Sequence, residues 1–126
     1  MRKAGLIVLF LCFALGSSRA ANAFPQFFNE FKAKYVNENG NADDKAFADL
    51  VNNKAKCGVC HGKDAQGKEN KKIRNEYGKA LSKLINKDDK KDKAKIQKAL
   101  ETVSGQKSPS GETFGERLKE HKLPVE

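Results

Sequence analysis

The sequence predicts an all-α domain of four or five helices, on three observations. Apolar residues recur at helical spacing in several separate stretches. No stretch shows the period-two alternation of a half-buried strand. No internal repeat and no long low-complexity tract divides the chain.

Residues 1–23 read as a secretory signal. Arg2 and Lys3 give a positive start, residues 6–15 are an apolar run, and Ala21-Asn22-Ala23 has the small-x-small form of a cleavage site. Cleavage after Ala20 is the alternative. The apolar run is far short of the roughly 20 residues needed to cross a bilayer. Leu11, before Cys12, does not suit a lipoprotein signal. The expected domain is therefore residues 24–126.

Phe24, Phe27, Phe28, Phe31 and Tyr35 fall on one face of a first helix, with Pro25 suited to its first turn. This aromatic stripe is read as core rather than as a docking face. Residues 37–41 contain Gly40 and three asparagines and read as a connection. Asn41 is a candidate cap for a second helix carrying Phe47, Leu50 and Val51, with Asp43 and Asp44 favourable in its first turn. Residues 62–68 form a polar, glycine-containing loop. Ile73, Tyr77, Ala80, Leu81, Leu84 and Ile85 give a third helix. Residues 86–89 break it and start a fourth, with Ile96, Ala99, Leu100 and Val103 apolar and Gly105 as a stop. Thr113 and Glu116 have capping-box spacing ahead of Phe114 and Leu118.

Between the second and third helices stands Cys57-Gly58-Val59-Cys60-His61. It holds two of the chain's three cysteines and one of its two histidines. The form C-x-x-C-H is the attachment signature of a c-type haem. Two thiols at that spacing meet two vinyl groups as thioethers, and the adjacent histidine brings a ring nitrogen to the iron. Two other readings stay open. A redox C-x-x-C wants an α/β context, which the pattern lacks. A structural zinc site needs four ligands, and only Cys12 and His121 remain as candidates of the usual type. Export and haem attachment support each other, because such haems are joined outside the cytoplasm. A backbone carbonyl of the 62–68 loop is the expected partner of the other His61 ring nitrogen. Arg74 and Tyr77 are candidate propionate partners, against the default of a solvated arginine and a core-edge tyrosine.

The formal net charge is +9, and Arg2, Lys3 and Arg19 of the signal account for three of it. The remaining excess suits acidic protein partners. Nucleic acid is the rival partner of a basic chain. Here the lysines are spread among acidic residues, without interleaved aromatics for base stacking.

On Cys57, Cys60 and His61 the chain resembles the small monohaem c-type cytochromes, and is similar to class I cytochrome c. That resemblance implies a cytochrome c-like all-α fold of four to five helices around one covalent haem c. It also implies that Cys57 and Cys60 hold the haem, that His61 is the proximal iron ligand, and that single electrons pass between redox partner proteins. An exported carrier, periplasmic in a bacterium, follows rather than an enzyme. Two departures matter. The family places a methionine on the distal face, and the only methionine here is Met1. No proline between Gly62 and Ser108 matches the one that commonly supports the proximal histidine. His121 is the leading distal candidate, with a lysine or an open position as the others. An open face would make the protein a gas binder, sensor or weak peroxidase.

Overall fold

The computed structural model describes residues 25–126. The expected signal, with Cys12, and Phe24 lie outside the described residues.

Helix α1 (Pro25–Tyr35) leads to α2 (Ala42–Asp49), which Asn41 caps in a reciprocal box with Asp44. Asn41 Oδ1 accepts from the Asp44 N–H at 2.9 Å, and Asp44 Oδ2 accepts from the Asn41 N–H at 3.0 Å. The chain then widens into a π-helical turn (Leu50–Ala55) and tightens into a 3-10 turn (Lys56–Val59). Strands β1 (His61–Lys63) and β2 (Glu69–Arg74) follow, then α3 (Glu76–Ser82). A 3-10 turn (Lys87–Lys91), α4 (Lys93–Ser104) and α5 (Phe114–Lys119) complete the order.

This corrects the all-α, cytochrome c-like expectation. Helices predominate, but β1 and β2 pair antiparallel, so the fold is mixed α/β, and no cytochrome-like fold is shown. Partners are His61 with Arg74, Gly62 with Asn70 and Lys63 with Glu69, with an irregularity after His61. The third helix is also shorter than its apolar spacing implies. Asn75 caps it, so Ile73 belongs to β2 and is exposed, as is Leu84 beyond its end. The strands escaped the sequence because β1 has three residues and β2 lacks alternation. Lys71, Lys72, Ile73 and Arg74 are all exposed. The pair is set by its turn, where Asp64 Oδ1 accepts from Gln66 and Lys68 N–H at 2.9 and 3.0 Å.

The core centres on Tyr77, which is fully buried. The Phe114 and Phe31 rings stand edge-on to it at 5.1 and 5.9 Å. Helix α4 turns Ile96, Ala99, Leu100 and Val103 into this core, the face its spacing predicts. Full burial of each large side chain contributes about 1.5–3 kcal/mol. α1 is pinned to α4 by the Tyr35 hydroxyl on the Leu100 carbonyl (3.1 Å) and by Gln97 Nε2 on Glu30 Oε2 (2.7 Å). Thr113 and Glu116 form the expected capping box on α5. Among the described residues no helix is long and apolar enough to cross a membrane.

Candidate functional site

The C-x-x-C-H segment is a turn fastened from two sides. Its entry is strained: Lys56 adopts φ 45° and ψ −117°, near the first central position of a type II′ turn, where glycine is favoured. The Cys60 N–H then donates to the Cys57 carbonyl at 3.2 Å, closing the turn, and Val59 is buried beneath it.

Asn75, at the start of α3, fastens one side. Its Oδ1 accepts from the Gly78 N–H at 2.9 Å, which caps the helix. Its Nδ2 lies 3.1 Å from both the Gly58 and the Val59 carbonyls, and its backbone N–H donates to the Cys60 carbonyl at 3.1 Å. Contact this close requires glycine at 78: a Cβ there would overlap the Cys60 carbonyl oxygen and lie 3.0 Å from its carbon.

The strand pair fastens the other side. His61 begins β1, and its Nδ1 lies 3.2 Å from the Ile73 carbonyl on β2. A carbonyl oxygen only accepts, so in this hydrogen bond Nδ1 carries the proton. In the neutral ring Nε2 then keeps its lone pair, and it has no hydrogen-bond partner among the described residues. The expected carbonyl is thus present, but β2 supplies it rather than the 62–68 loop.

Cys57 and Cys60 are free thiols, both half-buried as residues. Burial of the Cys60 thiol, reinforced by the neighbouring Cys57 sulfur, pushes its pKa up to about 12. Burial, then the charges of Cys60 and Tyr35, raises the pKa of the Tyr77 hydroxyl. That hydroxyl is the one buried side-chain polar atom without a hydrogen-bond partner among the described residues. Such an orphan costs about 1–3 kcal/mol and calls for an explanation. Arg74, the other candidate propionate partner, is exposed.

His121 is placed elsewhere. Its Nε2, the atom that would meet an iron, lies 3.0 Å from Asp44 Oδ1 on α2. Its ring lies 5.6 Å from that of Phe47, and its backbone is left-handed, at φ 57°. With Phe47, Leu50 and Glu120 it lines a shallow hollow of about 320 Å³. A second hollow of about 250 Å³ lies beside Arg117. The buried Arg117 guanidinium is satisfied by Glu112, Glu126, Ser110 and the Leu123 carbonyl. Among the described residues no three His, Cys, Asp or Glu side chains converge as a metal cluster.

The residues present fit a haem c on its proximal side. Two sulfurs share one turn, an anchored imidazole offers Nε2, and the buried Tyr77 hydroxyl of α3 has no partner among the described residues. The sequence reading missed Asn75, Gly78 and the Ile73 carbonyl. Asn75 was legible as a residue that caps helices, and Gly78 as a glycine inside a helical pattern. The carbonyl carried no signal, because it depends on the strand pairing. No protein-family model, curated protein or solved structure matches the chain.

Proposed function

We propose that this chain is an exported, periplasmic c-type cytochrome that transfers single electrons between redox partner proteins. The observation that carries the reading is the His61 Nδ1 contact with the Ile73 carbonyl, directly after the C-x-x-C turn. That contact fixes the tautomer and aims Nε2 as an iron ligand. Cys57 and Cys60 would hold one haem c through thioethers. When bound, the haem supplies a one-electron iron couple. The protein's own part is positional. Asn75 holds the Gly58, Val59 and Cys60 carbonyls, so both sulfurs are presented on a fixed turn. Burial suits the Cys60 sulfur as a thioether, which is neutral at every pH. The Ile73 carbonyl raises the basicity of the imidazole and with it the strength of the iron bond.

The test is expression with an export and haem-attachment system, followed by denaturation and intact mass. Haem mass retained by the denatured wild type, and lost in Cys57→Ser with Cys60→Ser, is the expected result. A wild type that sheds all haem on denaturation overturns the reading.

A second reading has a specific observation behind it. Asp44 holds His121 Nε2, so the leading distal candidate is not poised, and the only methionine is Met1, in the expected signal. The same protein would then bind a small gas on an open face. Carbon monoxide binding and spin state, before and after His121→Ala, separate the two. A low-spin wild type that resists the gas is the carrier; a high-spin wild type that binds it freely is the gas binder.

A further inference from the structure

Buried charge in this fold is concentrated at one place. Among the described residues Arg117 is the one buried charged residue, 4 % exposed, and Ser108 is buried too. Both line the hollow of about 250 Å³, with Ser110, Val125 and Glu126. A guanidinium out of water needs acceptors, and its five N–H groups meet four. Three of these are held by the fold. The Leu123 oxygen is backbone. Ser110 lies in a turn closed by the Gly111 N–H on the Ser108 carbonyl (3.0 Å), and the Glu112 carbonyl accepts from the Ser108 N–H (2.7 Å). Glu126 is the exception. Its Oε1 accepts from Arg117 Nη2 at 3.0 Å, but its side chain is 85 % exposed and its carboxylate has no other partner among the described residues. An ion pair with one largely solvated member is weakly held.

We propose that this hollow is a binding site for a small carboxylate, and that the Glu126 side chain is its displaceable occupant. The occupant shows the chemistry: a planar monoanion accepting from a guanidinium. Charge balance agrees. With Glu126 swung out, Lys107, Arg117 and Lys122 face Glu112 and Glu120, one cation in excess, so a monoanion restores neutrality and a phosphate dianion overshoots it. The Ser108 and Ser110 hydroxyls, 2.8 Å apart, supply further polar groups, and Pro109, Pro124 and Val125 wall the hollow for a short aliphatic tail. The volume lies below the roughly 300–1,000 Å³ of sites for drug-sized ligands, which restricts the ligand to a few heavy atoms. The site uses α5 and its flanking loops and no residue of the cysteine turn, so it stands apart from the haem reading.

Propionate is the probe, titrated into the intact, isotope-labelled protein at constant ionic strength against chloride. In the wild type the Ser108, Ser110 and Val125 amides shift. Glu126→Ala, at a largely solvated position, keeps the fold and binds propionate at least about tenfold more tightly, because the competing side chain is gone. Its melting temperature, lowered by the loss of a partner for Arg117, rises with propionate and not with chloride. Glu101→Ala, an equal change of charge on α4, leaves propionate affinity within about twofold of the wild type. A wild type without these shifts makes the Glu126 contact a permanent internal ion pair and overturns the proposal, even where the variant binds. So does equal affinity in the wild type and Glu126→Ala. Tighter binding of inorganic phosphate than of propionate overturns the carboxylate assignment.

Discussion

Gly78→Ala strikes the contact on which the placement of the cysteine turn rests. The new methyl would occupy the space of the Cys60 carbonyl oxygen and stand 3.3 Å from its Cα, so α3 must retreat or the turn must deform. Both partners are backbone, and neither can give way by rotating a side chain. Overpacking of this kind costs about 1–3 kcal/mol. Retreat of α3 also breaks the Asn75 contacts to the Gly58, Val59 and Cys60 carbonyls, at about 1 kcal/mol each. Alanine returns about 1 kcal/mol through helix propensity. The net loss is about 3–5 kcal/mol, a large share of the roughly 5–15 kcal/mol that stabilises a small domain. Urea denaturation followed by far-UV circular dichroism measures it. Gly105→Ala is the control, because its Cβ would meet the Thr102 carbonyl oxygen at an ordinary 3.7 Å. That variant stays within about 0.5 kcal/mol of wild type or gains stability. Unchanged stability in Gly78→Ala, or an equal loss in Gly105→Ala, would refute the close approach of α3 to the turn.

Lys56→Gly relieves the φ of 45° at the entry to the turn and gains about 1 kcal/mol, read as a higher urea midpoint; a lower midpoint would show that the lysine is unstrained. Asn75→Ala removes the α3 cap and the side-chain support of two carbonyls, costing about 2 kcal/mol in the same assay. Tyr77→Phe discriminates between the haem-free chain and the proposed haem protein. Without haem it deletes a hydroxyl that has no partner, so stability holds or rises; with haem bound, a loss of about 1 kcal/mol reveals that the hydroxyl has found one. The raised Cys60 pKa gives a pH dependence in the haem-free protein. The folded thiol stays neutral to about pH 12, while an unfolded thiol ionises near 8.5. Above that lower value the unfolded state binds fewer protons, so the stabilisation present at neutral pH is lost as pH climbs towards 12. Cys60→Ala removes that part of the slope, and identical slopes in wild type and variant would contradict the burial.

The sequence made several local features legible because each is written in a few adjacent residues. The Asn41 and Thr113 caps, the apolar face of α4 and the stop at Gly105 stand where spacing put them. The strand pair was illegible for the opposite reason. Nothing in Glu69–Arg74 distinguishes an inner from an outer face, since neither is covered, and the pairing is decided by the turn at Asp64. Extending the third helix back to Ile73 followed from the same gap: its apolar spacing continues the helix, but the Asn75 cap starts the helix later. For the site, residue identity was legible and support was not. Cys57, Cys60 and His61 stand out by type and spacing, whereas Asn75 and the Ile73 carbonyl act through tertiary contact.

That difference in support bears on the unequal faces of the proposed haem. On the proximal side α3 grips the turn through Asn75, and β2 grips the imidazole through a carbonyl. The geometry therefore exists before any ligand arrives, and little ordering cost remains to be met on binding. His121 has the reverse arrangement. To reach an iron, its Nε2 must leave Asp44, its ring must leave Phe47, and Asp44 must keep capping α2 without the imidazole. For a haem bound as proposed, His121 ligation would be opposed by contacts already made, whereas His61 ligation would be favoured by them. Asp44→Asn weakens the hold on His121 while leaving an oxygen to accept from the Asn41 N–H. If His121 can ligate but Asp44 restrains it, a wild type with high-spin haem shifts towards low spin in that variant. If the distal face is open, the spectrum does not move.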